Sequence, residues 1–462
     1  MNAENPSNAA ISLNPANGEI LAEYPFDTDE AVESMLETAS RAFRAWSRSR
    51  VEERTAFLRR LAIVLRGDAD RIARLATAEM GKPIAQSRSE IEKCASACEW
   101  YAEHGPAFLA DAATPVGKDA YVSYLPIGPV LGVLPWNFPF WQILRGAIPV
   151  LLGGNGYVLK HAPNVMGCAY LMRAAMAEAG LPEGVFSILN ITPRQVSGVI
   201  ADRRVAAVTV TGSVRAGAAI AAQAGAAIKK SVLELGGSDP FIVLADADLD
   251  RAAEAAAISR FQNTGQVCIA AKRIIVEAPV AEEFSRRFVA AVERLRLGNP
   301  LDEATYLGPM ARYDLRDELD RQVRQGIGEG ARLLLGGERE GGAGNYYKAT
   351  VLADVRPGMT VFEQEIFGPV ACLVRADDAD DAIVLANRSD FGLAGALWTR
   401  RVGQAREMAR RLETGGVFIN GIAASDPRVP MGGTKHSGYG RELSSWGVHE
   451  FMNAQTVWVH KK

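Results

Sequence analysis

Three short segments carry side chains able to act on a carbonyl carbon. The first is Asn263-Thr-Gly-Gln-Val-Cys268, a polar, glycine-containing run directly after a long helical pattern. A thiol exposed on such a loop, near backbone N–H donors, is a candidate nucleophile. A packing cysteine is the alternative, and composition alone does not separate the two. The second segment is Pro135-Trp-Asn-Phe-Pro139. Two prolines in so short a run forbid a regular element, so it reads as a rigid loop. Asn137 either forms its turn or points its amide at an oxyanion. The third is Leu233-Glu-Leu-Gly-Gly237. A carboxylate between two leucines at a strand end is costly to bury unless it has a task or a partner. Burial would raise its pKa toward the range a general base needs near neutrality; a buried ion pair is the alternative. A thiol, an amide donor and a buried carboxylate together imply acyl chemistry on a carbonyl.

Other candidates are weaker. Cys94 and Cys98 lie four apart on a helical pattern, Cys168 in an alanine-rich helix and Cys372 in an apolar strand, and all four read as packing residues. His104, His161, His436, His449 and His460 have no metal-ligand spacing, so no metal is expected. There is no G-x-G-x-x-G, no G-x-x-x-x-G-K-[ST] and no H-E-x-x-H. Gly326-x-Gly328 precedes a strand rather than following one and reads as a loop.

The elements that must position these residues fall into blocks. Residues 28–105 are helical in pattern, with apolar side chains at three- and four-residue spacing in Ala31–Trp46 and Glu53–Leu65. Strands at Gly156–Lys160, Val185–Leu189, Ala206–Val210 and Ser231–Leu235 then alternate with helices at Met166–Ala179 and Ser213–Ala224. A second alternation places strands at Phe241–Leu244, Arg273–Val276, Ala331–Leu335, Val370–Arg375, Gly395–Trp398 and Val417–Ile419. Its helices are Leu249–Phe261, Val280–Leu295, Ala379–Leu385 and Gly403–Leu412. Strands alternating with helices over short loops predict βαβ units, parallel sheets and an α/β fold. Gly236 and Gly237 form a hinge between the blocks. Ala454–His460 alternates apolar and polar and reads as a terminal strand that has to pair with something.

Composition sets the bounds. The chain has 462 residues, 51 Lys+Arg against 54 Asp+Glu, and a net charge of −3, so nothing points to nucleic acid. A charged share of 23% with 48% hydrophobic is the ordinary globular balance. Five cysteines argue against a disulfide scaffold and for a reducing compartment. The start, with Glu4 and no basic-then-apolar run, does not read as a secretory signal. Ala120–Leu144 carries no charge, but Pro126, Pro129, Pro135 and Pro139 forbid a continuous spanning helix, so no membrane association is expected.

The segments above, with four others, resemble the NAD(P)-dependent aldehyde dehydrogenase superfamily. They are PWNFP at Pro135, VLKHAPN at Val158, VTGSVRAG at Val210, LELGGSDP at Leu233, NTGQVC at Asn263, EIFGPV at Glu365 and MGGTKHSGYGRE at Met431. They occur in the family's order and spacing over nearly the whole chain, and their wording is most similar to the bacterial succinate-semialdehyde dehydrogenase branch.

The resemblance implies an aldehyde-dehydrogenase-like fold: a Rossmann-type cofactor domain over residues 1–120 and 136–235, and an α/β catalytic domain over 236–430. An oligomerisation flap is implied over 121–135 and 445–462, including a Tyr121–Leu134 hairpin, in a cytoplasmic homodimer or homotetramer. It makes Cys268 the nucleophile that forms a thiohemiacetal and then a thioester. Asn137 becomes the oxyanion donor, with the Cys268 N–H, and Glu234 the general base. NAD or NADP is the implied cofactor. Lys160 would hold the adenosine ribose, beside His161, Ala162 and Pro163, and Gly212 and Ser213 the pyrophosphate. Glu365 and Phe367 would meet the nicotinamide end, with Trp136 and Leu235 alongside. NAD-preferring members often carry a glutamate three residues after the lysine. Here that place is Pro163, so nothing there repels NADP.

For the substrate, Arg145 stands eight residues after Asn137, where semialdehyde enzymes of this type carry an arginine; a structural ion pair is its alternative role. Ser425 matches a serine that helps to bind the substrate carboxylate. Gln262 stands where some succinate-semialdehyde enzymes have a second arginine. The expected substrate is succinate semialdehyde, with glutarate semialdehyde or another small aldehyde as the alternative. An acylating, coenzyme A-dependent relative is disfavoured by Glu234, and a non-catalytic member by the intact set.

Overall fold

The computed structural model describes residues 8–460. The charged start around Glu4 and the last two residues of the expected flap, 461–462, lie outside the described residues.

The first parallel sheet grows from strands buried on both faces. Its order is Gly438–Tyr439, Lys230–Glu234, Ala207–Thr211, Val130–Val133, Tyr157–Lys160, Phe186–Ile188. All pairs are parallel except the short Gly438–Tyr439 edge. Followed along the chain, the strands run outward from Val130–Val133 to one side and then return to fill the other. The switch falls between Val130–Val133 and Ala207–Thr211, and the crevice beyond the carboxyl ends there is where such sheets bind ligands. Backbone approach is close in this sheet. A Cβ on Gly132 would lie 2.1 Å from the Tyr157 hydroxyl, and one on Gly146 2.7 Å from it. Tyr157 fills the room both glycines leave.

The second sheet has the order Arg332–Leu335, Thr350–Ala353, Val370–Ala376, Ala271–Glu277, Asp239–Val243, Gly395–Trp398, Val417–Ile419. Only the Arg332–Leu335 edge is antiparallel. Helices cover both sheets. Asp29–Trp46 is capped by Thr28, whose hydroxyl accepts from the Ala31 N–H, and it turns Val32, Leu36 and Ala39 inward. Ile84–Phe108 packs along Val51–Gly67 and Trp141–Leu152 and reaches the catalytic region through Glu90 and Lys93.

Two expectations need correction. Tyr121–Leu134 is not one hairpin. Ala120–Pro126 pairs antiparallel with Met452–Trp458 and Ala112–Ala113, whereas Val130–Val133 belongs to the six-stranded sheet. The crossing is fixed by Asn155, whose side-chain oxygen accepts from the Ile127 and Gly128 N–H groups. So of the range 121–135 only the first part joins the flap. Secondly, Gly326 and Gly328 end a helix, Tyr313–Gly328, instead of forming a loop. Ahead of the helical region at 28–105, Ala9–Leu13 and Ile20–Pro25 form an antiparallel pair. Among the described residues no helix is long and apolar enough to cross a membrane.

Candidate active site

The carboxyl ends of four neighbouring strands converge on one crevice. Val130–Val133 leads into Pro135–Pro139, Tyr157–Lys160 ends on Lys160, Ala207–Thr211 leads into Gly212 and Ser213, and Lys230–Glu234 ends on Glu234. Ser213 caps the Val214–Ala226 helix, accepting from the Ala216 N–H. That leaves the remaining first-turn amides and the positive dipole end open to an anion. A Cβ on Gly212 would meet nothing within 4 Å. The Lys160 ammonium forms no ion pair among the described residues, and burial lowers its pKa. Pro163 is exposed, and Ala162, Trp136 and Leu235 line the interior beside it.

His161 behaves otherwise. Its side chain is 1% exposed, its Nε2 meets the Pro139 carbonyl at 3.1 Å, and burial pushes its pKa down to about 3. The ring is a neutral prop for the Pro135–Pro139 loop.

The cysteine loop comes from the other sheet. Asn263 and Thr264 both have positive φ, 52° and 55°, and Gly265 follows at 72°. Three left-handed residues in a row cost energy, most at β-branched Thr264, and need surrounding structure to hold them. Here that support is dense. The Thr264 hydroxyl donates to the Gly308 carbonyl and accepts from the Gly308 N–H, both at 3.1 Å. Asn263 donates to the Asn137 carbonyl at 2.7 Å, and Gln266 accepts from the Ala311 N–H at 3.0 Å. Arg260, with 0% exposure, donates to the carbonyls of Gly265, Ile366 and Val370. The Asn137 amide donates to the Gln266 carbonyl at 3.1 Å while its oxygen accepts from Gln142. One N–H of that amide is left for the site. Asn137 and Cys268 are thus tied to one loop.

Cys268 is the only one of the five cysteines that is not buried. Burial of its sulfur nonetheless pushes the thiol up to about 11, with Arg145 and Lys272 pulling it down and Glu234 adding to the rise. Lys272 donates to the Cys268 carbonyl at 2.7 Å and to Glu365 at 3.0 Å, and Glu365 also accepts from the Gly237 N–H. Phe367 stands edge-on to Trp136, ring centroids 5.9 Å apart. Glu365 and Phe367 therefore close the crevice from the catalytic side.

Glu234 is 2% exposed and neither carboxylate oxygen has a hydrogen-bond partner among the described residues. Burial pushes it up to about 8, against the pull of Arg145 and with a further push from Glu442. The ion-pair alternative is not what the geometry gives. Arg145 instead pairs with Glu442 through Nε and donates to the Thr211 hydroxyl at 3.1 Å.

Cys268 and Arg145 line a cavity of about 280 Å³ together with Lys93, Trp141, Gln262 and Ser425. Ser425 accepts from Lys93 Nζ at 2.7 Å and from Trp141 Nε1 at 2.9 Å. Glu90 sits one helical turn before Lys93, pairs with buried Lys82, and accepts from the Phe140 and Trp141 N–H groups at 2.9 and 2.8 Å. It anchors the start of the Trp141–Leu152 helix.

Comparison with known proteins decides the family. The aldehyde dehydrogenase family model matches residues 2–457. The chain belongs to the aldehyde dehydrogenase family. It is 56% identical to the succinate semialdehyde dehydrogenase [NAD(P)+] Sad of Escherichia coli K12 over 98% of both chains. It is 44% identical to a probable NADP+ succinate-semialdehyde dehydrogenase of Synechocystis, covering 98% of this chain and all of the relative. Among solved structures, the succinic semialdehyde dehydrogenase of Streptococcus pyogenes in complex with NADP+ superposes with a TM-score of 0.95 at 36% identity, covering 98% of this chain and all of the other.

In this aldehyde dehydrogenase four residues of the site went unread in the sequence: Glu90, Lys93, Lys272 and Glu442. Glu442 lies inside the MGGTKHSGYGRE segment, and Lys272 stands four residues after the cysteine in an apolar strand, so both had a local signal. Glu90 and Lys93 had none, because their partners lie about 50 and 332 positions away, as in the Glu90–Phe140 and Lys93–Ser425 contacts.

Proposed function

We propose that this aldehyde dehydrogenase oxidises a short aldehyde that carries a carboxylate, succinate semialdehyde first, to the diacid with NAD+ or NADP+. Glutarate semialdehyde or another small aldehyde is the alternative substrate. The observation that carries this reading is a single cavity holding the Cys268 thiol and, on its walls, the Ser425 hydroxyl and the Lys93 ammonium, which has no ion pair among the described residues.

The crevice fits a dinucleotide on its own geometry. A helix N-terminus with bare Gly212, a cation at Lys160 without an ion pair, and a Gly236 whose Cβ would lie 2.3 Å from Glu365 form a cradle that side chains would fill. Lys160, Gly212 and Ser213 would hold the adenosine and pyrophosphate, and Glu365 the nicotinamide ribose. NAD(P)+ bound there supplies the acceptor for the hydride that the Cys268 adduct releases as it becomes a thioester. Pro163 puts no negative charge near a 2′-phosphate, so both cofactors are accepted.

Cys268 Sγ attacks the aldehyde carbon, and the oxyanion is held by the free Asn137 N–H and the Cys268 backbone N–H. A donor of this kind is worth about 10²–10³ in rate. Because burial raises the thiol's pKa, attack and oxidation release its proton, which passes to bulk water, and Glu234, a nearby carboxylate without a hydrogen-bond partner among the described residues, stays free for the second half. In the second half Glu234 takes a proton from the water that attacks the thioester, and the acid leaves. Arg145, Gln262 and Ser425 line the end of the cavity that receives the substrate's carboxylate.

The test is a panel of straight-chain aldehydes and semialdehydes run with each cofactor. NAD(P)H formation is expected to be fastest with succinate semialdehyde and lost in Cys268→Ala by about 10⁴-fold or more. Equal rates for neutral and acidic aldehydes would overturn the substrate assignment.

A further inference from the structure

We propose that Lys93, with the Ser425 hydroxyl, is the carboxylate-recognising group of the cavity and sets its preference for acidic aldehydes. This rests on the substrate reading above and names the residue that enforces it.

Charge separates Lys93 from its neighbours. Arg145 is the obvious cation in the cavity, but its guanidinium is paired with Glu442 and bonded to Thr211. Glu90 is likewise neutralised by Lys82. Lys93 is different. Among the described residues its ammonium forms no ion pair; its contacts are the Ser425 oxygen at 2.7 Å and the face of Trp141 at 4.2 Å. An ammonium has three donors and no acceptor. One donor is used on Ser425, and the others have no acceptor among the described side chains. The cavity therefore carries one uncompensated positive charge in a half-buried setting, which an entering carboxylate would pair.

Ser425 supplies the second observation. Its oxygen accepts from both Lys93 and Trp141. With both lone pairs engaged, the hydroxyl hydrogen has to point elsewhere, toward the cavity that Ser425 lines. The pair thus presents N–H and O–H donors side by side and no acceptor, which suits the two oxygens of a carboxylate. Gln262, where relatives can place a second arginine, lines the same wall and adds an amide without a charge.

The surroundings keep this charge exposed to a ligand rather than cancelled. Lys93 is faced by Cys94 and Glu90 on its own helix, by Arg145 on the Trp141–Leu152 helix and by Asp426 on the loop after Ser425. Glu90 is held by Lys82 and Asp426 by Arg428. Burial brings the Lys93 ammonium down to about 8. Pairing with a substrate carboxylate restores the charged form.

The experiment compares wild type, Lys93→Met and Lys93→Arg on succinate semialdehyde and on butanal, which has the same carbon count and no carboxylate. The readout is the ratio of kcat/KM for the two aldehydes, from which general damage cancels. Lys93→Met is expected to lower that ratio by about tenfold to a hundredfold, the usual worth of a hydrogen bond to a charged group. Lys93→Arg keeps most of it. In wild type the KM for succinate semialdehyde, but not for butanal, rises above about pH 8 as Lys93 loses its proton, and Lys93→Arg removes that rise. An unchanged ratio in Lys93→Met overturns the assignment of Lys93 while leaving the substrate reading intact. A wild-type enzyme with no preference for the acidic aldehyde overturns the substrate reading itself. Should Lys93→Met fail to fold, the comparison of wild type with Lys93→Arg decides: the same KM rise in both overturns the proposal.

Discussion

At the scale of the residue, Glu234 shows how function and stability oppose one another. A carboxyl with no hydrogen-bond partner at 2% exposure is disfavoured as an anion, which is why its pKa sits at about 8 instead of the ordinary 4.5. Folding therefore favours the protonated form. The stabilising share of that proton is fully present below about pH 4.5 and is lost as the pH rises through about 8. Glu234→Gln cannot ionise and escapes the loss. Its melting temperature is expected to match wild type near pH 5 and to exceed it near pH 9; a wild type as stable as the variant at the higher pH would contradict the burial argument. In turnover the sign is reversed. Hydrolysis needs the ionised form, so wild-type kcat rises toward pH 8, whereas Glu234→Gln gives about one NAD(P)H per site in a burst and then stalls. A linear progress curve from the variant would remove Glu234 from acid release.

At the scale of the element, the Asn263–Cys268 loop is where sequence reading stops short. Its residue types were enough to mark a polar loop with a thiol, and Gly265 was enough to mark a turn. Three consecutive positive φ angles were not readable, because Thr264 is a poor left-handed residue and is held there by Gly308, 44 positions away. The same limit explains other misreadings. The resemblance implied one Tyr121–Leu134 hairpin, yet the two halves belong to different sheets, with Asn155 holding the Ile127–Gly128 crossing between them. Tyr313–Gly328 was passed over because its charges hide the short apolar stripe of Leu315, Leu319 and Val323. Strands buried on both faces, by contrast, were legible as apolar runs, and so were the strand-end positions of Lys160 and Glu234. For the loop, Gly265→Ala tests the claim that strain is built in. A Cβ there would lie 2.2 Å from the Gly368 carbonyl oxygen, and φ is +72°. The variant is expected to lose about 1–3 kcal/mol of stability and to slow alkylation of Cys268, since both penalties fall on the segment that presents the thiol. Unaltered thiol reactivity and melting temperature would show that the loop adapts freely.

At the scale of the whole molecule, the arrangement of edges says how copies of the chain would meet. The two large sheets end in strands that are short or packed, but the three-stranded sheet ends in Met452–Trp458, seven residues long and largely exposed along its length. Its inner side pairs with Ala120–Pro126; its outer side offers unpaired N–H and C=O groups, flanked by Trp458 at 53% exposure and Val459 at 59%. Val417–Ile419, one edge of the seven-stranded sheet, pairs with Gly395–Trp398 on its inner side and has its outer side open. An open edge of this length invites strand addition. We therefore expect the flap of one copy to extend the catalytic sheet of another, giving a homodimer or a dimer of dimers. Proline removes a ladder donor, and successive residues in a strand point their N–H groups to opposite sides. Proline placed singly at Ala454 and at Gln455 should then give different results. The variant that loses the outward N–H should run as a single chain in light scattering with its helix content intact, whereas the other should weaken the Ala120–Pro126 pairing and lower the melting temperature. An assembly mass unchanged in both variants would mean that copies meet through some other surface, and that this edge is covered from within the chain or left to solvent.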